Sequence, residues 1–140
     1  MIIPTIRAGC AADIDDVVEI QAASPEAAQW DVHDYLAYDF RVAVCDNRVA
    51  GFLVSRAAGP DECEVLNVAV SPEFRRTGVG SALISSLVSG LRGAVFLEVR
   101  ASNHAAVEFY KSLCFEEVGR REEYYQEPPD AAIVMKFHSC

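Results

Sequence analysis

Residues 73–84 read EFRRTGVGSALI. Two adjacent arginines, Arg75 and Arg76, precede two glycines one residue apart, Gly78 and Gly80, and an apolar run at helical spacing follows. Upstream, 63-CEVLNVAV-70 has the apolar and β-branched content of a strand, which Ser71 and Pro72 end. The chain thus passes from a strand through a glycine-containing turn into a helix, predicted over 78–91. This order makes an anion site. The first N–H groups of a helix have no internal partner, and the helix dipole places partial positive charge there. Glycines let oxygens approach those amides closely, and the arginines can add charge-assisted hydrogen bonds. The plainer reading is a solvated arginine pair beside a turn.

A nucleotide loop of the Walker type needs a lysine after its last glycine, and none follows Gly80. A dinucleotide fingerprint needs a third glycine, which is also missing. Working outward, a strand is predicted over 2–7, a helix over 12–23, and a second helical piece from Pro25 to Tyr38. Strands 41–46 and 49–57 are joined at Asp46-Asn47-Arg48, a hairpin-like turn. After the 63–70 strand and its helix, 94-AVFLEVRA-101 is apolar on both faces and is expected near the middle of the sheet. Ser102 or Asn103 caps a helix reaching Leu113, and strands near 115–124 and 132–137 close the chain. The order is β-α-α-β-β-β-α-β-α-β-β. It predicts an α/β fold with a mixed central sheet of about seven strands, flanked on both faces by about four helices and containing one right-handed parallel crossover.

Glu98 interrupts the apolar 94–101 strand, and burying a carboxylate is costly unless it is paired or has work to do. Tyr110 lies on the next helix, at spacings that put it on one face with Asn103, Ala106 and Phe109. A carboxylate and a phenol so placed can converge at the C-terminal end of the strand, where open α/β sheets put their ligands. The plainer readings are an ion pair of Glu98 with Arg100 and a core tyrosine.

The loop 75-RRTGVG-80, together with 66-LNVAV-70, 98-EVRASN-103, 120-RREEYY-125 and 131-AAIVMKF-137, resembles the GNAT superfamily of N-acetyltransferases, and within it the RimI-type branch. The likeness is close over about residues 62–137 and loose before that. The resemblance implies a single GNAT domain over 1–140 with acetyl-coenzyme A as co-substrate. It implies Glu98 as the general base and Tyr110 as the general acid that protonates the departing thiolate. Val68, Ala69 and Val70 would pair with the pantetheine arm. Arg75, Arg76, Thr77, Gly78, Val79, Gly80 and Ser81 would hold the pyrophosphate, and Asn103 would touch the coenzyme. It implies the N-terminal amine of a protein, in the founding case a ribosomal protein, as the acceptor. Lysine side chains or a small amine are the same-fold alternative, and a coenzyme A-binding regulatory module without catalysis is the alternative of another class. The family usually has Leu-Gly-Phe after the tyrosine helix, whereas here it is Leu113-Cys114-Phe115.

The chemistry fits an α-amine. With a pKa near 8, roughly a tenth of α-amines are neutral at pH 7, against roughly one lysine in a few thousand. Tyr124 and Tyr125 are candidates for a peptide-channel wall or for cross-strand packing.

Composition sets the outer limits. At 140 residues, 51% apolar and 24% charged, the chain is expected to be one soluble domain with a core of its own. A net charge of −9 argues against general nucleic-acid binding and suits a cationic macromolecular substrate. The cysteines, Cys10, Cys45, Cys63, Cys114 and Cys140, are odd in number and scattered. Neither a disulfide framework nor a metal site is therefore expected, and a reducing cytoplasm is. The opening MIIPTIR lacks a signal-peptide core, and no apolar run approaches a membrane span.

Overall fold

A computed structural model describes residues 3–91, 93–126 and 128–138. Ile2, where the sequence places the start of the first strand, and Cys140 lie outside them. The elements are β1 (Thr5–Ala8), α1 (Ile14–Ala22), β2 (Asp39–Cys45), β3 (Arg48–Gly59), β4 (Glu62–Val70), α2 (Val79–Val88), β5 (Ala94–Arg100), α3 (His104–Ser112), β6 (Glu116–Gln126) and β7 (Pro129–His138). Short 3-10 helices cover Ala11–Asp13, Val32–Ala37 and Pro72–Phe74. The seven strands form one sheet in the order β1-β2-β3-β4-β5-β7-β6. As the crossover requires, β4 and β5 run parallel, whereas β1–β2, β2–β3, β5–β7 and β6–β7 are antiparallel.

The expected fold class is therefore observed, with shifts that have local causes. The second helical piece is a 3-10 helix over Val32–Ala37, capped by Asp31, whose carboxylate accepts from the His33 N–H. Helix α2 opens at Val79 rather than Gly78, because Gly78 is left-handed and serves as its N-cap. It stops at Val88, ahead of Ser89 and Gly90, three residues short of the predicted end.

Two compact units share the chain: Met1–Arg56 with Val65–Gly90, and Ala57–Glu64 with Leu91–Cys140. In the first, Asp46 and Asn47 form the two-residue β2–β3 turn, both at positive φ (49° and 62°), the geometry that matches strand twist. Residues 50–55 of β3 are buried without a break, so both faces of this strand are covered. On one face Val42, Phe52 and Val54 pack in a cluster with Ile14, Val17 and Ile20 of α1 and with Val32 and Tyr35. On the other, Gly51 meets α2. A Cβ there would stand 2.9 Å from the Ala69 carbonyl oxygen, 3.1 Å from Val79 and 3.3 Å from Leu83, so no side chain fits without displacing the helix.

A buried polar cluster ties α1 to β4 within this unit. The Tyr35 hydroxyl donates to Gln21 Oε1 (2.5 Å), and Asn67 Nδ2 donates to Tyr35 (3.0 Å), to Gln21 Oε1 (3.2 Å) and to the Ala28 carbonyl (2.9 Å). Gln21 Nε2 donates to the Trp30 carbonyl at 2.6 Å. These bonds satisfy polar groups that would otherwise be costly to bury, and they order the irregular segment after α1.

At the start of α1, Asp13 is buried. It accepts two hydrogen bonds from the Arg7 guanidinium (2.8 and 2.9 Å) and one from the Cys10 N–H (2.9 Å). The Arg7 hydrogen bonds, against the opposing effect of burial, hold the Asp13 carboxyl down at about 2. A carboxylate with a depressed pKa stabilises the fold above its unfolded value, near 3.9, and loses that contribution as pH falls toward 2. The pair is worth about 1–2 kcal/mol, after a discount because Arg7 is half exposed. Asp13→Ala is expected to lower the midpoint of urea unfolding at pH 7. At pH 2 the gap to the wild type narrows. An equal gap at both pH values would contradict the assignment.

In the second unit β5 pairs with β4 over Glu62–Glu64 against Ala94–Phe96 and with β7 along its whole length. Val95, Leu97 and Val99 are buried, in alternation with the half-buried Phe96, Glu98 and Arg100. Beneath the buried face runs an aromatic series, Phe109–Tyr110–Phe115–Phe137, with successive ring centroids 5.3, 5.6 and 5.6 Å apart.

Candidate functional site

Each unit carries residues singled out from the sequence. In the first, the turn from β4 into α2 has the conformation an anion site needs. Gly78 sits at φ +92°, in open space, so its requirement is conformational rather than steric. No side chain caps α2, and the first amide bonded within the helix is Ala82 N–H, to the Gly78 carbonyl (3.0 Å). The N–H groups of Val79, Gly80 and Ser81 precede that first turn and are left for a ligand. Thr77 turns its hydroxyl inward, donating to the Phe74 carbonyl.

The two arginines divide. Arg75 reaches back to the end of α1, donating to the Ala23 carbonyl (3.1 Å), Ser24 Oγ (3.2 Å) and the Val70 carbonyl (3.3 Å). It braces the turn. Arg76 is exposed, stands at φ +63°, and has no hydrogen-bond or ion-pair partner among the described residues. Of the two, Arg76 is the cation open to an anion. On β4, Val68 and Val70 are half-buried and Ala69 is buried.

In the second unit Glu98 stands opposite Val134 of β7. Cross-strand partners share a face, so Glu98, Phe96 and Arg100 lie on the side of Lys136, whose ammonium is 5.2 Å from the Phe96 ring centre. Tyr110 rests on Phe115, which rests on Phe137, the partner of Val95. The carboxylate and the phenol therefore occupy opposite faces of β5. What joins those faces is the strand's edge. The β4 ladder ends at Phe96, and among the described residues Leu97–Arg100 have ladder partners on β7 alone.

The Glu98 side chain is 17% exposed, and its ion-pair partner is Arg121 of β6, with Nη2 3.2 Å from Oε1. Arg100, the alternative partner read from the sequence, donates to the Pro128 carbonyl (2.8 Å) and stacks 4.2 Å over Tyr125. Tyr110 is buried, and burial pushes its phenol well above the ordinary value, so it stays protonated at any physiological pH. Among the described residues, no buried side-chain N or O lacks a partner. The Tyr110 hydroxyl makes no hydrogen bond there.

Asn103 caps α3, its Oδ1 accepting from the Ala106 N–H at 3.2 Å. Its amide group is then left for any contact with a coenzyme. At the other end of α3, Cys114 takes the left-handed conformation (φ +73°). Cys114 N–H donates to the Lys111 carbonyl and Phe115 N–H to the Tyr110 carbonyl, both at 3.0 Å. This is the double closure that normally uses glycine, with its hydrophobic contact made by Phe115 on Tyr110. A non-glycine residue at such a φ costs about 1–2 kcal/mol, partly offset by glycine's greater freedom when unfolded. Cys114→Gly is expected to stabilise the protein by about 0.5–1 kcal/mol, measured by denaturant unfolding. A loss of stability would mean that the thiol makes a contact of its own.

On β6 the register shifts between Arg121 and Tyr125, with Glu123 at φ +53°. This bulge sets Tyr124 and Tyr125 edge to face, 5.1 Å apart. Burial and then the Glu98 charge push the Tyr125 phenol up, which places Tyr125 in the field of the carboxylate. Arg121 and the buried Asn67 were not singled out by the sequence reading. The signal for Asn67 was the one used for Glu98, a polar residue inside an apolar strand. Among the described residues no three His, Cys, Asp or Glu side chains gather as metal ligands, and no helix is long and apolar enough to cross a membrane.

The fold and the loop define the class. The chain belongs to the acetyltransferase (GNAT) family, whose model matches residues 13–115. Within it, the chain is 44% identical over 96 residues to the [ribosomal protein bS18]-alanine N-acetyltransferase of Salmonella typhimurium. That alignment spans 64% of each protein. Its fold matches the crystal structure of the Escherichia coli ribosomal-protein-S18-alanine N-acetyltransferase with a TM-score of 0.82 and 27% identity, over 99% of this chain and 96% of that one. It matches Ard1 from Thermoplasma volcanium at 0.84 with 32% identity, over 95% of each.

Proposed function

We propose that the chain is one acetyltransferase domain that moves an acetyl group from acetyl-coenzyme A to the N-terminal α-amine of a protein in the cytoplasm, with a ribosomal protein as the first candidate. The observation that carries this reading is Glu98, a mostly enclosed carboxylate at the open stretch of β5, with a protonated phenol on the far face. The names of the relatives above support the acceptor class.

The uncapped N-terminus of α2 suits a pyrophosphate. Val79, Gly80 and Ser81 would offer amides, Gly78 the required turn, and Arg76 an exposed cation, while Arg75 and Thr77 shape the loop. Val68–Val70 would offer backbone groups to the pantetheine arm, and Asn103 its amide. At the reacting centre, the amine nitrogen attacks the thioester carbonyl carbon, a C–N bond forms and the C–S bond breaks. Glu98 takes the amine proton, directly or through one water, and Tyr110 donates a hydrogen bond and then its proton to the departing sulfur. No covalent enzyme intermediate is needed, and holding both substrates together supplies much of the rate.

The reading is tested by coenzyme A release with peptides that begin with Ala, Ser or Met and with an acetyl-blocked Ala peptide, beside a polyamine. Release with unblocked peptides and none with the blocked one is expected. Turnover of the polyamine or the blocked, lysine-containing peptide alone would move the acceptor to the same-fold alternative. Coenzyme binding without any turnover would favour a regulatory module.

A further inference from the structure

At pH 7 most of an α-amine is ammonium. An enclosed carboxylate is a trap for that cation, and an amine held as ammonium has no lone pair with which to attack. Yet Glu98 does not stand alone. Arg121 lies 3.2 Å from its Oε1 and is its partner among the described residues. The guanidinium also packs 5.4 Å from the centre of the Tyr124 ring, and β6 delivers it opposite Ala132, just before the bulge. The other charged or titratable groups on this face are engaged elsewhere or in register with one another. Arg100 covers Tyr125, Lys136 covers Phe96, Glu116 stands opposite Lys136, and Asp130 accepts from Ser102 Oγ at 2.5 Å.

We propose that Arg121 is a positioning residue that keeps Glu98 from trapping the acceptor as ammonium, so that the site favours the neutral, nucleophilic amine. The inference rests on the acetyltransferase reading above. A cation paired with the same carboxylate offsets its pull on a second cation, and a like charge nearby disfavours protonation of the bound amine. Arg121 also holds the carboxylate in one place through its contact with Tyr124.

The test compares wild type with Arg121→Gln, Arg121→Lys and Arg120→Gln. Arg120 pairs with Glu122 at 2.6 Å and serves as the neighbouring control. Two quantities are read for an Ala-initiated peptide: its Kd in the presence of coenzyme A, and its acetylation rate in single turnovers at saturating peptide across pH. Arg121→Gln is expected to bind the peptide about 3–10-fold more tightly at pH 7 and to transfer about 3–10-fold more slowly. Its rising pH limb should move up by about half to one unit, rejoining the wild type at alkaline pH. Arg121→Lys restores both quantities, and Arg120→Gln changes neither. A slower Arg121→Gln with unchanged Kd and an unmoved limb would overturn the proposal, as would an Arg121→Lys that behaves like Arg121→Gln. Absence of transfer by the wild type would instead remove the underlying acetyltransferase reading.

Discussion

Glu98→Gln is expected to slow acetyl transfer at pH 7 by about 10²–10³-fold, within the range typical of a lost general base. The substitution keeps the size of the side chain and an oxygen that can still accept from Arg121 Nη2, now 3.2 Å away. What disappears is the capacity to take a proton. Coenzyme affinity should stay within about twofold, because the residues assigned to the pyrophosphate lie on the turn into α2. The defect should also shrink with pH. Roughly a tenth of α-amines are neutral at pH 7 and most are at pH 9, so the base has less to do there. Single-turnover rates measured at both pH values check this. A variant as fast as wild type at pH 7 would remove Glu98 from the mechanism.

Tyr110→Phe is expected to cost about 10–10²-fold in turnover while leaving stability within about 0.5 kcal/mol of wild type. The two effects separate because the ring and the hydroxyl do different work. The ring packs between Phe109 and Phe115, and phenylalanine keeps those contacts. The hydroxyl has no hydrogen-bond partner in the fold among the described residues, so its removal leaves nothing unpaired. Since burial holds the phenol protonated, this defect should not relax between pH 7 and 9, in contrast to that of Glu98→Gln. It should relax with a thioester whose thiol is more acidic, because such a sulfur leaves with less help. Full activity in Tyr110→Phe would leave thiolate protonation to solvent.

Much of the fold was legible in the sequence because local and long-range signals agreed. Pro72, Gly78 and the apolar run after it mark strand, turn and helix in that order, and the parallel β4–β5 pair lies on either side of them in the chain. Apolar content on both faces put the Glu98 strand inside the sheet, and it is flanked by β4 and β7. Boundaries were less legible. The run to Tyr38 looked helical from composition, but Gln21, Gln29 and Asn67 hold its first part in irregular turns through bonds to backbone carbonyls. No local pattern announces such long-range bonds. Side-chain partners were the least legible. Arg100 was the near neighbour of Glu98 in sequence, but a bulged β6 brings Arg121 to the carboxylate instead. Likewise, the split between Arg75 and Arg76 depends on where the end of α1 lies, which adjacency in sequence does not reveal.

Acetyl transfer to an α-amine can be read in one reaction of the purified protein with acetyl-coenzyme A and a peptide bearing a free N-terminal alanine and one internal lysine, with the product's acetyl position found by tandem mass spectrometry. A single acetyl group on the alanine nitrogen is expected, formed far more slowly by Glu98→Gln. An acetyl group on the lysine nitrogen, or none on the peptide, would contradict it.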